Sequence, residues 1–345
     1  MGTSAGTEPE FTFELRLCRW AEREWPPAGE RESAVLVARQ LGTQGRRWDT
    51  LVLECDPEAL AARERFGPDR LDSDLLPVVR NAPAEWTYYR DAVPEFAPWR
   101  YVREAVNRAA DRGVVERRKV GNRVQLRRKW PYPDWLQRLV AVENKPDLDA
   151  SAADALADQL QRDVALSLAD EAWVATRADG DGGRRALLEG LPVEAGILAV
   201  EERAASVSVA WHAATLSVDE PGTRILERPA GGKHDQSAAR FEYADPEWKR
   251  AKRLEIAERA YERGWRSYAD TMRPDCRQFH LRRDAGDVLP WCGAHGRSQT
   301  ASECAGSCRH FEPEPPAWRS KGWPIEGGPG AATKRLLERR RARRR

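Results

Sequence analysis

The first residues that could do chemistry form the tripeptide Glu143-Asn-Lys145, which ends a short apolar run. Side chains two positions apart in a strand point to the same face, so the carboxylate and the ammonium group would lie side by side. Asp49 lies in a second predicted strand, residues 47–55. Two carboxylates from neighbouring strands can hold a Mg²⁺ or Mn²⁺ ion that keeps several waters, and an adjacent amine can orient or deprotonate one of these waters. These residues predict metal-assisted hydrolysis.

The lysine at position 145 is informative because the chain contains 49 arginines and only 8 lysines. A lysine is a point charge whose pKa can shift, whereas a guanidinium group stays protonated. The alternative is a half-buried ion pair between Glu143 and Lys145 without a catalytic role. A second Glu-x-Lys, Glu247-Trp-Lys249, falls in a predicted helix, where residues i and i+2 diverge, so we set it aside.

A second group consists of four cysteines within 33 residues: Cys276, Cys292, Cys304 and Cys308. Clustered thiolates fit a tetrahedral zinc site, and the same four ligands fit an iron–sulfur cluster. Nearby histidines, His295 among them, leave a mixed Cys/His set open. The alternative is four unrelated thiols. A metal here would stabilise a short segment that has too little core of its own.

Basic residues concentrate in one stretch, which the net charge of +2 for the whole chain conceals. Between positions 100 and 138, twelve basic residues stand against four acidic ones, a local net charge of +8. A predicted helix at 99–112 and two predicted strands at 114–119 and 123–128 indicate the end of a winged helix-turn-helix. Such a helix enters the DNA major groove while the hairpin binds phosphate. The candidate DNA-binding side chains are Arg103, Arg117, Arg118, Lys119, Arg123, Arg127 and Arg128. The alternative is a solvated amphipathic helix followed by an ordinary hairpin.

The hydrophobic pattern predicts an α/β scaffold around these groups. Helical spacing from 11 to 25 precedes strands at 33–41 and 47–55. After the basic stretch come a strand at 136–145, a helix at 151–168, strands at 171–176, 196–200 and 207–211, and a charged helix at 245–272. We therefore expect residues 1–66 and 134–244 to form two parts of one core around an inserted module at 67–133. Residues 245–330 would hold the charged helix and the cysteine segment, and 331–345 a basic tail that is either a disordered phosphate-tracking arm or a solvated helix end.

Composition argues against two classes of protein. The chain has no run of about 18 apolar residues, the length that a bilayer crossing needs. Its first residues lack the basic start and apolar segment of a signal peptide. Six sparse cysteines suit a reducing compartment better than a disulfide framework. We expect a cytoplasmic protein without a membrane partner.

This pattern resembles the PD-(D/E)XK nuclease superfamily, with its restriction-endonuclease-like mixed sheet flanked by helices. The resemblance is carried by Asp49 on one strand, Glu143-x-Lys145 on the next, and a following helix with Gln159. Residues 155–160 and 171–175 are similar to the helix and strand that follow the lysine there. The 94 positions between the two acidic residues exceed the usual spacing, and the basic module fills that gap. We interpret the module as an insertion into the nuclease-like core.

The resemblance also implies a role for each matching residue. The two strand carboxylates bind Mg²⁺ or Mn²⁺, Lys145 serves the attacking water, and Gln159 supports the substrate or a strand. An acidic residue of the first helix completes the set, and of Glu14 and Glu22 we prefer Glu14. The whole chain further resembles an uncharacterised family from halophilic archaea. Segments that carry this resemblance include Leu17-Cys-Arg-Trp-Ala-Glu22 and Gly322-Trp-Pro-Ile-Glu-Gly-Gly-Pro329.

The predicted function is therefore a Mg²⁺-dependent DNA nuclease with an inserted winged-helix DNA-binding module. One alternative is a DNA-binding protein or regulator that kept the fold and lost turnover. Another is a protein whose metal segment recruits a partner while its basic region binds RNA. DNA is the expected partner, and dimers are common in this fold, which leaves a homodimer open.

Overall fold

The computed structural model describes residues 10–27, 29–30, 32–67, 71–147, 150–178, 190–201, 206–227, 240–267, 276–284, 287–300, 303–304 and 308–312. Its helices are α1 (Glu10–Glu24), α2 (Pro57–Arg63), α3 (Leu75–Asn81), α4 (Tyr89–Ala92), α5 (Trp99–Asp111), α6 (Ala150–Leu166) and α7 (Pro246–Arg263). Its strands are β1 (Ala34–Gly42), β2 (Arg47–Cys55), β3 (Thr87–Tyr88), β4 (Val115–Val120), β5 (Arg123–Arg128), β6 (Leu136–Asn144), β7 (Glu171–Arg177), β8 (Gly196–Val200), β9 (Val207–Trp211), β10 (Gly222–Glu227), β11 (Arg240–Ala244), β12 (Phe279–Asp284) and β13 (Asp287–Cys292).

A mixed sheet lies at the centre of the molecule. Within the described ranges its strand order is β1-β2-β6-β7-β8-β9, in which β2 and β9 run antiparallel to the other four. The pairing of β2 with β6 places Thr50 beside Val142, so the next residues along the two strands are Asp49 and Glu143. The sheet therefore brings together two residues that are 94 positions apart in the sequence.

Helices cover both faces of this sheet. On one face α1 contributes Leu17 to an apolar cluster that includes Val52. On the other face α7 contributes Ile256 to a cluster that includes Leu51, and α6 packs over β7 on the same side. Each such fully buried aliphatic side chain stabilises the fold by about 1.5–3 kcal/mol. The expected α/β architecture with a helix-flanked mixed sheet is thus confirmed. None of the helices in the described ranges is long and apolar enough to cross a membrane.

The charged helix predicted at 245–272 is shorter in the structure. Asp245 caps its start, where Oδ1 accepts a hydrogen bond from the Trp248 N–H at 2.7 Å. The helix ends at Arg263 because Gly264 adopts a left-handed φ of 57°, with its N–H donating to the Ala260 carbonyl at 2.9 Å. Residues 268–272 of the predicted helix lie outside the described residues.

The basic module between β2 and β6 has an apolar cluster of its own. Helices α3, α4 and α5 precede the β4–β5 hairpin, and the strand order is β3-β5-β4. Val79 of α3 and Val106 of α5 pack with Leu126 of β5 in this cluster. The helix and the basic hairpin predicted from the sequence are therefore both present, joined by a common core.

A buried ion pair connects both ends of this module to α7. Arg63, at the end of α2, donates from Nη2 to Oε2 of Glu258 at 2.5 Å, and both side chains are fully buried. Arg63 also donates to the Gly67 carbonyl at 3.0 Å. On the returning chain, the Tyr132 hydroxyl donates to Glu258 at 2.5 Å and accepts from the Trp135 indole N–H at 2.9 Å. We call these side chains the junction network.

Candidate functional site

The carboxylates of Asp49 and Glu143 lie where β2 pairs with β6. Glu143 is buried, and Asp49 is half-buried at the edge of the same region. Asp49 accepts the backbone N–H of Asn144 on Oδ2 at 3.0 Å and the Gln40 amide on Oδ1 at 3.2 Å. The structure therefore places the two strand carboxylates as neighbours on paired strands.

Arg46, in the turn between β1 and β2, is the closest cationic partner of Glu143. Its Nη2 donates to Glu143 Oε1 at 2.7 Å and to Asp163 Oδ2 at 2.7 Å, while its Nε donates to Asp163 Oδ1 at 2.9 Å. Asp163 projects from α6. The turn needs glycine at position 42, because a Cβ there would lie 2.1 Å from the Arg46 carbonyl oxygen. That carbonyl accepts the Thr43 N–H at 2.7 Å, which closes the turn.

Glu14 of α1 approaches the same region through two residues of β1. Arg39 holds it with a bidentate pair, Nε to Oε1 at 3.0 Å and Nη2 to Oε2 at 2.7 Å. The Gln40 amide donates to both Glu14, at 3.1 Å, and Asp49, at 3.2 Å. Gln40 has a φ of 54°, in the left-handed region that residues other than glycine rarely adopt. Strain of this kind collects at functional sites.

Burial raises the pKa of three of these acids, and repulsion from Asp49 adds to the rise at Glu14 and Glu143. The pKa of Glu143 rises from 4.5 to about 8, first because the group is buried and then because Asp49 lies nearby, against the opposing effect of Arg46. Burial also raises the pKa of Glu14 and of Asp163, although each has an arginine partner. We call Glu14, Asp49, Glu143 and Asp163 the carboxylate cluster. In the described residues its four acids outnumber the two arginines that contact them, so a divalent cation would favour the ionised form of Glu143 over the protonated form that burial favours.

The two remaining residues of the predicted set, Lys145 and Gln159, lie close in sequence to Glu143 and Asp163 of the carboxylate cluster. The Lys145 backbone N–H donates to the Ala175 carbonyl at 2.9 Å. Its side chain is half-buried and forms no hydrogen bond or ion pair in the part of the chain that the structure describes. The structural alternative of a Glu143–Lys145 ion pair is therefore wrong, because Glu143 pairs with Arg46. Gln159 lies one helical turn before Asp163 on α6, and its Oε1 is buried without a hydrogen-bond partner among the described residues.

Glu22, the other acid considered on α1, lies outside the carboxylate cluster. Its carboxylate accepts two hydrogen bonds from Arg266, at 2.8 and 2.9 Å, and one from the Trp265 indole at 3.1 Å. This buried pair fixes α1 to the end of α7. Of the two acids, only Glu14 lies beside Asp49.

The oxygen donors of the carboxylate cluster match the ligand preference of Mg²⁺ and Mn²⁺. In the described ranges no group of three or more His, Cys, Asp and Glu side chains is arranged so that it could hold a metal ion. Mg²⁺, however, commonly binds to one or two carboxylates and completes its coordination with waters and substrate phosphate oxygens. Asp49 and Glu143 are two carboxyl groups on paired strands that could serve as such a pair.

The β4–β5 hairpin presents a basic surface. Arg117, Arg118 and Lys119 are exposed on β4, and the exposed or half-buried basic residues of β5 are Arg123, Arg127 and Arg128. Guanidinium groups of Arg118 and Arg127 lie 4.5 and 4.8 Å from the centre of the Trp86 ring. These cation–π contacts hold two of the hairpin arginines against one indole ring.

Helix α5 carries a mixed charge on its exposed side. Arg103 is exposed there, but so are Glu104 and Asp111. Arg108 forms an ion pair with Asp74 across the end of α3. The positive surface of the module therefore follows the hairpin more than the helix.

The four cysteines of the C-terminal segment border one cavity, together with His310. None of the six cysteines, all of which lie in described ranges, is in a disulfide. Cys18 and Cys55 are buried in the main core and do not line this cavity, and burial raises the pKa of each thiol to about 12. These two cysteines are inert core residues.

Sequence reasoning missed four side chains of this region: Arg39, Gln40, Arg46 and Asp163. Asp163 had a visible signal, because it interrupts the apolar face of α6 directly between Leu160 and Val164. Arg46 and Gln40 flank a hairpin turn and had none, since only the folded sheet shows that they contact the acids.

The sheet, the carboxylate cluster and the basic hairpin define a mixed α/β protein with a buried acid–arginine site. Residues 36–313 match the model of a family of unknown function (DUF5787), and the chain belongs to this family. The expected relationship to an uncharacterised family is thereby confirmed. A search of curated proteins and a search of solved structures gave no match, so no comparison connects the chain with a nuclease.

Proposed function

We propose that the protein is a Mg²⁺-dependent DNA nuclease whose active site is the carboxylate cluster. The observation that carries this proposal is the pairing of Asp49 with Glu143 on adjacent strands, inside a buried region with more acids than arginines. The element order α1-β1-β2-β6-α6-β7 supports it, since it agrees with the resemblance to the PD-(D/E)XK superfamily. The restriction-endonuclease-like fold is part of the same proposal.

Each side chain of the region has a task in this proposal. Asp49 and Glu143 hold the ion, which when bound polarises the phosphodiester and acidifies a bound water. Lys145, whose amine has no other partner among the described residues, orients that water. Gln159 offers its buried Oε1 as a hydrogen-bond acceptor at the same edge. Glu14 acts through Gln40, whose amide positions Asp49.

Arg46 stays anchored when Glu143 turns towards a cation. It makes three hydrogen bonds to Asp163, at 2.7, 2.9 and 3.2 Å, and one to Glu143. Loss of the bond to Glu143 therefore leaves the guanidinium group in place, with a free N–H directed at the site. A guanidinium group in that position suits a phosphate oxygen.

The inserted module binds the DNA in this proposal. Helices α3, α4 and α5 and the strand order β3-β5-β4 support a winged-helix arrangement. Because α5 has acidic residues on its exposed side, the hairpin supplies most of the phosphate contacts. Six basic side chains of β4 and β5 serve this role, and Arg103 is the contribution of the helix.

A DNA-binding protein without turnover is the second candidate function. Its supporting observation is that Arg39 and Arg46 hold Glu14 and Glu143 at 2.7 Å, as a purely structural cluster would. The two candidates share the basic hairpin and differ only in whether the carboxylate cluster takes up a divalent cation.

Cleavage assays separate the two candidates. Purified protein is incubated with duplex and single-stranded DNA and either Mg²⁺ or Mn²⁺, next to Asp49→Asn and Lys145→Ala. Matched controls are Asp91→Asn and Lys252→Ala, which change residues outside the cluster. We expect cleavage by the wild type and both controls and at least a hundredfold loss in the two site variants. Equal, metal-independent background for all five proteins, with DNA binding retained, would refute the nuclease. Light scattering of the same samples tests the homodimer.

The salt dependence of DNA binding tests the hairpin. Each phosphate contact contributes about 0.9 to the slope of log affinity against log salt concentration for duplex DNA. Replacing Arg117, Arg118 and Lys119 with alanine should therefore lower the magnitude of that slope by up to about 2.7. Arg250→Ala, an exposed arginine on α7, is the control and should leave it unchanged. An unaltered slope in the triple variant would contradict the proposed surface.

A further inference from the structure

We propose that Cys276, Cys292, Cys304 and Cys308 bind one structural zinc ion. Cys276 precedes the β12–β13 hairpin, Cys292 ends it, and the other two cysteines follow in the last described ranges. Spacing in the sequence left four unrelated thiols open. In the fold, all four side chains border the same cavity.

The cavity between the four cysteines is small. Its volume is about 30 Å³, and one water needs about 10–15 Å³ of such space. An iron–sulfur cluster would use the same four thiolates, and the metal analysis below separates it from zinc. Four thiolates around one small cavity match the tetrahedral coordination of structural zinc sites.

Backbone hydrogen bonds hold the cysteines around this cavity. The Phe279 N–H donates to the Cys276 carbonyl at 3.0 Å, and the Phe311 N–H donates to the Cys308 carbonyl at 3.1 Å. A similar turn therefore follows each of these two cysteines. The Glu312 N–H donates to the Cys276 sulfur at 3.5 Å. This hydrogen bond connects Cys276 to the chain that follows Cys308.

The histidines near the cavity are already engaged. His310 borders it, but its Nε2 accepts the Arg309 Nε–H at 3.0 Å, and its ring packs edge-on against His295 with 4.9 Å between the ring centres. His295 is exposed and is not part of the cavity lining in the described ranges. The ligand set of this proposal is the four thiolates, and His310→Ala in the test below separates it from a mixed Cys/His set.

A zinc ion would also compensate for the lack of a hydrophobic core in this segment. Of the described residues between 276 and 312, the apolar clusters include only Leu289, with Phe279 packed at the edge. Segments with so little buried apolar surface obtain their folding free energy from a metal. In the described residues the donor atoms are not arranged to hold an ion, so the four sulfurs would have to lie closer together to bind one.

Metal analysis of the full-length protein tests this site. We expect one zinc ion per chain after purification without added metal, and loss of bound zinc in Cys304→Ser and Cys308→Ser. Cys55→Ser, a cysteine of the main core, and His310→Ala should each keep one zinc. Because the serine variants can lose structure, Co²⁺ replaces zinc in the wild type as a second measurement, and its visible spectrum should be that of tetrahedral thiolate coordination.

Three outcomes would overturn the proposal. The first is the absence of zinc from the wild type together with the absence of a thiolate spectrum for Co²⁺. The second is the retention of zinc in both serine variants. The third is a brown absorbance with stoichiometric iron and sulfide. The proposal is independent of DNA cleavage, since neither Mg²⁺ binding nor any residue of the carboxylate cluster enters these measurements.

Discussion

Glu143→Gln tests the reasoning about the carboxylate cluster without any assumption about a substrate. Glu143 is 4% exposed, and its pKa rises from 4.5 to about 8 in the folded protein. Each pKa unit corresponds to about 1.4 kcal/mol, so the difference amounts to about 5 kcal/mol of unfolding free energy. Glutamine keeps the shape of the side chain and an oxygen that can accept the Arg46 hydrogen bond, but it carries no charge.

The direction of the effect follows from proton binding. Below pH 4.5 the Glu143 carboxyl is protonated in both the folded and the unfolded state, so it adds no pH dependence to the unfolding free energy. Between pH 4.5 and about 8 the unfolded chain releases this proton while the folded protein retains it, so the unfolding free energy of the wild type falls as the pH rises. Above about pH 8 both states are ionised and the loss is complete. The variant lacks this loss, so its advantage over the wild type should grow with pH, by up to about 5 kcal/mol.

Urea unfolding in the presence of a chelator, at several pH values from 5 to 9, measures this difference. Glu104→Gln, an exposed glutamate on α5, is the matched control and should follow the wild type at every pH. Addition of Mg²⁺ at pH 8 should stabilise the wild type and not Glu143→Gln, because a ligand stabilises only the form that binds it. If the wild type and Glu143→Gln show the same pH dependence, the buried charge argument is wrong.

Two further substitutions probe the scaffold by the same unfolding measurement. Glu258→Ala leaves its arginine partner in the junction network buried without a counter-charge and should lower the unfolding free energy by about 3–5 kcal/mol. Glu255→Ala, on the same helix but partly exposed, should change it by less than about 0.5 kcal/mol, and equal effects of the two would contradict the network. Gly196→Ala places a Cβ 2.3 Å from the Trp173 ring and should cost about 1–3 kcal/mol, whereas a neutral result would mean that β7 and β8 separate easily.

The neighbouring positions of Asp49 and Glu143 could be predicted from the sequence, but their arginine partners could not. Strand alternation and the pairing of consecutive core strands depend on short-range patterns, which a sequence displays directly. Arg46 reaches its acids from a turn, and Gln40 does so from a left-handed backbone position. Contacts of this kind depend on the assembled tertiary structure, so no local sequence pattern predicts them.

Lys249 shows the limit of the argument from rare lysines. The same scarcity that drew attention to Lys145 applies to it, yet Lys249 is fully buried on α7 and serves the scaffold. Its amine donates to the carbonyls of Ser217 and Glu220 at 2.9 and 2.7 Å. Burial lowers the pKa of this amine. A lysine chosen over arginine therefore indicates a confined site, which can be structural as well as chemical.

The inserted module also bears on how this chain can fold. Pairing of β2 with β6 closes a loop of 80 residues, 56–135, which costs about 2 kcal/mol more chain entropy than a loop of about ten. Yet Asp56 and Trp135, at the two ends of the insertion, are joined by a backbone hydrogen bond of 3.0 Å. A module that folds first around its own core brings these ends together and so shortens the effective loop. The stretch of flexible chain that must be closed when β2 pairs with β6 is then short. The rate at which the candidate site forms should therefore rise with the stability of the module.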